Sequence, residues 1–441
     1  MRATATAAGV VALLAALGAC SSTNAPATGG GSASTAAGTP AKGITKDAVT
    51  IGVDYVPNDG GNTDAVNRGD SKKIVDALVA DLNAKGGLAG RKVTVEYHAY
   101  PVTTKETPAQ LEQKACAAFT QDEQVFAVLT GEPHTENFFS CLTKAGTPLI
   151  ADRLVIGDDK TLQANPLLFA PTSVSLTRLA GVYAKGLIEK GFLTPSNKVA
   201  LIRQDEPAYT RAAEEVLEPA LKAAGIHLVA DVAAVAPITD ADTQQAGATL
   251  QAALPKLISQ GVDRVLFLEN GGALPFLFLQ GAVPAKFMPK YGFTTLNGNT
   301  LLAAALPKEI AKPALTGSVT VGFNPTIDVL PADRPANAEY DRCLQVVNAA
   351  GVKLPTANAQ SNAAAYCESL GLLGEGLKRA GDTVTADSFR KGIEQVGTSF
   401  TSALALGTTF GPGRHDGPST FRTGQFVPDC LCYRYTGDVT P

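Results

Sequence analysis

Short apolar runs alternate with amphipathic stretches through most of the chain. In the first such unit, the run Val49–Val53 predicts a buried strand. The segment Ser71–Ala84 predicts a helix, since Ile74 and Leu82 fall on one face at helical spacing. Strands that alternate with helices in this way are typical of parallel β-sheets covered by helices.

The alternation continues in two series. The first predicts strands at Lys92–Tyr97, Val125–Leu129 and Pro148–Ile150, and helices at Pro108–Phe119 and Glu136–Ala145. The second predicts strands at Lys198–Arg203, His227–Val232, Val262–Leu268, Lys290–Thr294 and within Leu315–Gly322, and helices at Leu176–Lys190, Tyr209–Ala224, Thr243–Gln260 and from Pro275. Helices at Ala336–Ala350, Gln360–Gly381 and Ala386–Val396 then precede a β-like tail at Phe410–Tyr435. Two βαβ series of about 120 residues each predict an α/β fold with two doubly wound lobes.

The N-terminus predicts export. Arg2 precedes the apolar stretch Ala7–Ala19, which is too short to span a bilayer and is typical of a secretory signal peptide. The stretch ends in Leu17-Gly18-Ala19-Cys20, which resembles a bacterial lipobox. We therefore expect a lipoprotein signal peptide at residues 1–19 and a lipid anchor on Cys20. An ordinary signal peptide followed by a coincidental cysteine is the alternative.

Residues 20–44 contain mostly Ser, Thr, Ala, Gly and Pro, a composition that predicts a flexible tether. We expect the folded part to lie outside the cytoplasm, held at the cell membrane by lipidated Cys20. No later apolar run is long enough to cross a bilayer. The formal net charge is −4 with both signs interspersed, so we expect no nucleic-acid partner.

Six cysteines follow the tether, and an even number in an exported protein predicts disulfides. Pairing of sequence neighbours would join Cys116 to Cys141, Cys343 to Cys367 and Cys430 to Cys432. Six cysteines allow fifteen pairings, so the connectivity stays open, and the Cys-x-Cys loop is its least certain part. The spacings do not fit a zinc site, and we expect no metal.

Several motifs carry a resemblance to a known family. They are Ile51-Gly52-Val53 with Pro57 and Gly60, the run Asp81–Lys92, Lys198–Asp205 with Tyr209, Gly261–Val265, and Phe410-Gly411-Pro412 with Asp416-Gly417. In this order they resemble the type I periplasmic substrate-binding proteins, typified by the branched-chain amino-acid receptors of ABC importers. The run Asp81–Lys92, with its glycines, is the most specific of them.

The resemblance implies two lobes joined by crossovers near residues 153–172, 296–300 and 398–410. It assigns residues 45–155 and 300–398 to lobe 1, and residues 172–296 and 408–441 to lobe 2. A small polar ligand, such as an amino acid or a related metabolite, would bind between the lobes and pass to an ABC permease. The alternative is a sensory receptor of the same fold that signals to a regulator.

Candidate ligand-binding residues follow the predicted strands. In lobe 1 they are Tyr55, Asn58, Glu132, His134, Thr135, Asp152 and Arg153, and in lobe 2 they are Glu206, Tyr209, Glu269, Asn270 and Thr294. The family's pattern implies that Thr135 or its neighbours hold a ligand carboxylate and that Glu269 takes an ammonium group. We expect His98, His227 and His415 to be structural or exposed.

The loop Glu132-Pro133-His134-Thr135 departs from the family, which has a serine-rich loop there. An acidic residue would repel a ligand carboxylate, so a polar, cationic or larger ligand is favoured over a branched-chain amino acid. The sequence lacks the Gly-x-Ser-x-Gly, His-Glu-x-x-His and phosphate-loop motifs of common enzymes. We therefore expect a receptor without catalytic activity. We also expect it to be a monomer that needs no cofactor.

Overall fold

The computed structural model describes residues 40–57, 67–101, 104–131, 134–152, 157–438 and 440. The predicted signal peptide, Cys20 and residues 21–39 of the predicted tether lie outside these ranges. So do three candidate ligand-binding residues, Asn58, Glu132 and Arg153. The tether ends earlier than the predicted residue 44, because the N–H of Ala41 donates to the carbonyl oxygen of Val384 at 2.9 Å.

The described residues form twelve strands and fifteen α-helices. The strands are β1 (Ala48–Tyr55), β2 (Lys92–Ala99), β3 (Ala127–Thr130), β4 (Leu149–Ala151), β5 (Leu168–Phe169), β6 (Val199–Gln204), β7 (Leu228–Ala234), β8 (Arg264–Leu268), β9 (Lys290–Thr294), β10 (Val319–Gly322), β11 (Arg422–Val427) and β12 (Cys432–Tyr435). The helices are α1 (Ser71–Ala84), α2 (Pro108–Ala117), α3 (Glu136–Ala145), α4 (Asp159–Ala164), α5 (Leu176–Glu189), α6 (Pro207–Ala212), α7 (Glu218–Ala223), α8 (Asp240–Ser259), α9 (Ala273–Ala282), α10 (Asn299–Ala305), α11 (Lys308–Leu315), α12 (Pro325–Asp328), α13 (Ala338–Ala349), α14 (Ala357–Ala380) and α15 (Ala386–Glu394).

Lobe 1 is built on a parallel five-stranded sheet in the order β2-β1-β3-β4-β5. One face packs against α1, α14 and α15, where Ile51 and Val53 of β1 are fully buried with Leu373. The other face packs against α2 and α3, where Phe119 and Phe138 are buried. The apolar periodicity of these segments therefore reflects a sheet covered on both sides.

Lobe 2 is built on a seven-stranded sheet in the order β12-β11-β10-β9-β8-β6-β7. Strands β6 to β10 are parallel, whereas β11 lies antiparallel to both β10 and β12. Phe267 is buried on one face of this sheet, with Phe278 of α9, and Leu201 on the other, with Leu179 of α5. The predicted fold class, α/β with two doubly wound lobes, is confirmed.

The second crossover lies later in the chain than we predicted. Strand β10 pairs with β9, with Val319 opposite Gly292, so α10, α11 and β10 all belong to lobe 2. The predicted return at residues 296–300, with residues 300–398 in lobe 1, is therefore wrong. The lobes are joined by a first crossover at residues 170–175, a second at 323–337, which includes α12, and a third at 395–421.

The buried part of each crossover is held by a carboxylate. Glu368 of α14 accepts hydrogen bonds from the N–H groups of Ala403 and Leu404, at 3.0 and 3.1 Å. Asp328 accepts from the N–H of Asn324 at 3.0 Å. Asp416 accepts from the N–H of Ser175 at 2.8 Å, which links the third crossover to the first. These bonds pair N–H groups that would otherwise be buried without an acceptor.

Burial raises the pKa of two of these carboxyl groups. It raises the pKa of Asp328 to about 7, although hydrogen bonds from Tyr435, Thr295 and Asn324 favour the charged form. Burial also raises the pKa of Glu368 well above its usual range. Both groups can therefore carry a proton at neutral pH while still accepting hydrogen bonds from the crossovers.

The six cysteines form disulfides, as predicted, and the connectivity that the sequence left open is the pairing of sequence neighbours. Cys116–Cys141 links α2 to α3, Cys343–Cys367 links α13 to α14, and Cys430–Cys432 closes the turn between β11 and β12. Glu339 lies beside Cys343 and Cys367 in an arrangement that could hold a metal ion. Because both sulfur atoms are in a disulfide, they are not the thiolates that metal binding requires.

We expect Cys343→Ala/Cys367→Ala to lower the free energy of unfolding by about 2–4 kcal/mol, since the bond closes a loop between residues 24 apart. Urea unfolding without reductant measures the change. The matched double variant Cys430→Ala/Cys432→Ala removes a bond between residues only 2 apart and should cost much less. Equal losses in the two variants would contradict this expectation.

Candidate functional site

Each lobe has one point where its strand order reverses, and ligands of open α/β sheets bind at the carboxyl ends of the strands there. In lobe 1 this point lies between β1 and β3, and in lobe 2 between β6 and β8. In lobe 1, β1 ends at Tyr55 and Gly131 follows β3, and in lobe 2, Asp205 follows β6 and Glu269 follows β8.

A group of one carboxylate and two histidines lies at the end of β1, with Asp54 and His134 buried and His98 partly exposed. Oδ1 of Asp54 is 2.9 Å from Nδ1 of His98, and Oδ2 is 3.0 Å from Nε2 of His134. The Thr130 hydroxyl is 3.2 Å from the same Nε2. His134 is fully buried and stacks on Phe138. The group therefore lies where β1, β2 and β3 end.

A second carboxylate, Glu112 of α2, accepts the hydrogen bonds of Thr135 that we expected a ligand carboxylate to accept. It accepts from both the N–H and the hydroxyl of Thr135, each at 2.6 Å. Its Oε1 also lies 3.7 Å from Nδ1 of His134. The protein's own carboxylate thus takes the position that the family resemblance gives to a ligand carboxylate.

The opposite charges in this cluster favour the ionised forms of His134 and Asp54. Burial disfavours the imidazolium form, yet Asp54 and Glu112 outweigh this effect and raise the pKa of His134 to about 9. Burial likewise opposes ionisation of Asp54, but its contacts with His134 and His98 hold its pKa below the usual value. At neutral pH the cluster therefore contains an imidazolium between two carboxylates.

Lobe 2 presents Glu206 toward this cluster. Glu206 occupies the N-cap position of α6, but its side chain does not cap the helix. Burial raises its pKa, and the charges of Glu136, Glu112 and Asp205 raise it further. Since Glu112 and Glu136 belong to lobe 1, carboxylates face each other across the gap between the lobes.

Ion pairs connect the lobes beside this gap. Nη2 of Arg211, in α6, lies 2.9 Å from Oδ1 of Asp158 and 3.4 Å from Oε1 of Glu136, both in lobe 1. Lys160 and Glu215 form a more exposed pair at 2.7 Å. Exposed pairs contribute little to stability, but these contacts show that the start of α3 lies close to the end of α6.

Three predicted lobe 2 residues are buried within that lobe. Glu269 is fully buried and accepts from Nδ2 of Asn297 at 2.6 Å and from the N–H of Gly272. Thr294 is buried and accepts from the N–H of Leu296. Tyr209 packs in the lobe 2 core. The role predicted for Glu269, direct contact with a ligand ammonium, is inconsistent with its burial.

The remaining predicted residues lie apart from the cluster or at its edge. Asp152 is buried and accepts a hydrogen bond from Thr172 near the first crossover. Tyr55 is half-buried and contacts Tyr97 edge-on, and Asn270 is half-buried beyond β8.

Sequence reasoning missed Asp54, Glu112 and the contact of His98 with Asp54. Asp54 could have been found, because it is a carboxylate at the end of an apolar strand. Nothing in the sequence marks Glu112, since it lies within an amphipathic helix among other polar residues. Of the predicted set, the structure brings His134 and Thr135 together and places Glu206 opposite them.

We expect stability to depend on the His134 imidazolium. Because the folded pKa is raised to about 9 from 6.5, its contribution is complete below pH 6.5 and is lost as the pH rises through 9. Between pH 6.5 and about 9.5, the free energy of unfolding should fall by about 2–3 kcal/mol more in the unmodified protein than in His134→Gln.

Urea unfolding at the two pH values measures this difference. His227→Gln, a change at an exposed histidine, is the control and should keep the pH dependence of the unmodified protein. An identical pH dependence in His134→Gln and the unmodified protein would refute the expectation.

Comparisons with known proteins agree with this geometry. A family model described as "Periplasmic binding protein" matches residues 49–429. A search of curated proteins finds no match. Every helix within the described ranges is too short or too polar to cross a membrane.

Several solved structures share the fold. An ABC transporter substrate-binding protein from Desulfitobacterium hafniense in complex with Leu is 17% identical, with a TM-score of 0.60 over 88% of this chain and 100% of that one. A branched-chain amino acid ABC transporter protein from Thermus thermophilus with bound valine is 14% identical, with a TM-score of 0.64 over 90% and 97%. A solute-binding protein from Rhodopseudomonas palustris with p-hydroxybenzoic acid is 15% identical, with a TM-score of 0.64 over 89% and 97%. The family match spans most of the sequence, and the chain therefore belongs to the periplasmic binding proteins, with the two-lobed fold of their type I members.

Proposed function

We propose that this protein is an extracytoplasmic receptor that captures a small polar ligand bearing an ammonium group and delivers it to an ABC permease. The family match and the two lobes support the receptor role. Structural neighbours are described with bound leucine, valine or p-hydroxybenzoic acid, so small polar molecules suit this fold. An amino acid or a related metabolite fits the proposal, and we propose that the receptor acts as a monomer.

The position of Glu206 is the main evidence that the ligand bears an ammonium group. Its carboxylate has no hydrogen-bond or ion-pair partner within the described ranges, and the nearby charges of Glu112 and Glu136 are also negative. Arg211 is already engaged by Asp158 and Glu136. A ligand ammonium between the lobes would relieve the repulsion among these carboxylates, whereas a ligand carboxylate would increase it.

The ligand class can be tested with matched compounds. We would screen amino acids, their amides, which lack the carboxylate, and the corresponding deaminated acids, which lack the ammonium. Thermal unfolding detects binding as a rise in the melting temperature, and calorimetric titration gives the Kd. We expect amino acids or amides to bind, and deaminated acids not to bind, because only the former carry the ammonium group.

Glu206→Gln should weaken binding of the best compound by at least about tenfold, because it replaces the proposed ion pair with a neutral contact. Glu214→Gln is the control, since Glu214 is an exposed carboxylate a few residues further along the chain. Binding confined to deaminated acids, or an equal effect of the two substitutions, would contradict the proposed ligand class.

We further propose that Cys20 carries the lipid anchor. The family is extracytoplasmic, and the tether-like composition of residues 21–44 suits a receptor held beside a membrane permease. More than one acyl chain is needed for stable anchoring, and a diacylglyceryl cysteine meets this condition. An anchored receptor keeps its ligand close to the permease that consumes it.

Cys20→Ser tests the anchor in cells that export the full-length chain. We expect the unmodified protein in the membrane fraction and Cys20→Ser in the soluble extracytoplasmic fraction, because serine cannot form the thioether to diacylglycerol. Ser21→Ala, next to the proposed site, should stay in the membrane fraction. Membrane association of Cys20→Ser equal to that of the unmodified protein would disprove the anchor.

A further inference from the structure

A cavity of about 330 Å³ lies between the second and third crossovers. One wall comes from residues 325–337 of the second crossover and another from residues 403–406 of the third. The first turns of α13 and α14 complete it, through Tyr340 and Gln360. Its volume lies at the small end of the range of about 300–1,000 Å³ that small-molecule sites occupy. None of the predicted ligand-binding residues within the described ranges lines this cavity.

The cavity contains a cation, Arg334, with no carboxylate at ion-pair distance among the described residues. Arg334 donates from Nη2 to the carbonyl oxygen of Thr326 at 3.1 Å and from Nη1 to the hydroxyl of Tyr340 at 3.2 Å. Its Nε is buried without a hydrogen-bond partner. Within the described ranges Arg334 forms no ion pair, although most of the other arginines do. A partly buried guanidinium with an unpaired Nε favours an anion.

The remaining lining limits which anion fits. About half of it is apolar surface, from Pro325, Pro331, Pro335, Ala336, Ala403, Leu404, Ala405 and Leu406, and the side chains of Thr326, Asn337 and Gln360 add polar surface. The exposed carboxylate of Asp341 also lines the cavity and would repel a second negative charge. A compact aliphatic body with one carboxylate matches both the walls and Arg334.

We propose that this cavity is a second ligand site that binds a small aliphatic monocarboxylate, with the carboxylate on Arg334 and the hydrocarbon against the proline and leucine walls. The site is separate from the gap between the strand ends, and it does not depend on the function proposed above. Bidentate contacts between guanidinium and carboxylate groups are among the stronger hydrogen-bonded pairs in proteins.

The position of the site connects it to the joint between the lobes. Nδ2 of Asn337 donates to the carbonyl oxygens of Ser402 and Ala403, at 2.9 and 3.1 Å. The N–H of Leu406 donates to the carbonyl oxygen of Phe323 at 2.9 Å. These bonds tie the second crossover to the third along the cavity. An occupant contacts both crossovers, so its binding favours the lobe arrangement that gives the cavity this shape.

The absence of tryptophan from the sequence provides a clean test. Ala336→Trp, at an exposed position on the rim, places the sole tryptophan beside the cavity. The full mature chain carrying this reporter is titrated with 3-methylbutanoate and with its uncharged amide. We expect a saturable change in emission with the acid below about 10 mM, and binding of the amide at least tenfold weaker. Calorimetric titration of the protein without the reporter should give the same Kd for the acid.

Two substitutions assign the binding to the cavity. Arg334→Gln should weaken binding of the acid at least about tenfold by removing the charge. Ala405→Leu should block binding by filling the space while it leaves the charge of Arg334 in place, and it keeps the test decisive if Arg334→Gln does not fold. Arg434→Gln, at a more exposed arginine that pairs with Asp333, is the control and should leave the Kd unchanged.

Three outcomes would overturn the proposal. The first is the absence of saturable binding by both fluorescence and calorimetry. The second is equal binding of the acid and the amide, since charge recognition by Arg334 would then be absent. The third is undiminished binding of the acid in Ala405→Leu, because the compound would then bind elsewhere. Saturable binding that both cavity substitutions abolish, and that Arg434→Gln leaves unchanged, supports it.

Discussion

The structure depends on hydrogen bonds from buried backbone N–H groups in segments that are neither helix nor strand. The three crossovers pass between the lobes, where water cannot satisfy these groups. Glu368, Asp328 and Asp416 satisfy several of them, each from a different part of the chain. The loss of any one of these carboxylates would leave donors unpaired in the interior, at a cost of about 1–3 kcal/mol for each group. The relation between the two sheets therefore depends on a few polar side chains as well as on apolar packing.

Much of the fold could be predicted from sequence because the apolar periodicity directly reports helices and strands. The predicted strand at Lys290–Thr294 has the same bounds in the structure, and the predicted helix at Ser71–Ala84 is also the same. The lobe that contains β10 could not be deduced in this way. An apolar run shows that a strand is buried, but the choice between two sheets depends on pairing with distant residues such as Gly292. For that reason the second crossover was predicted too early.

The site was less predictable, because position along a chain does not determine the direction of a side chain. His134, Thr135 and Glu206 follow strands and lie near the gap between the lobes. Glu269 also follows a strand, yet it turns into the interior toward Asn297. Glu112 shows the converse case, because a residue in the middle of a helix reaches the strand ends of its lobe. Such contacts arise from packing between elements and carry no local signature in sequence.

The interleaved order of the lobes affects how an exported chain can reach this structure. The core beside β1 contains Ile51 near the N-terminus and Leu373 and Phe410 near the C-terminus. A chain that crosses a membrane N-terminus first therefore leaves one face of the first sheet uncovered until most of its length has emerged. The Cys116–Cys141 bond can nevertheless close early, before Cys343 has crossed. Pairing each cysteine with its neighbour in sequence thus lets oxidation follow the order of emergence, without crosslinks between the lobes.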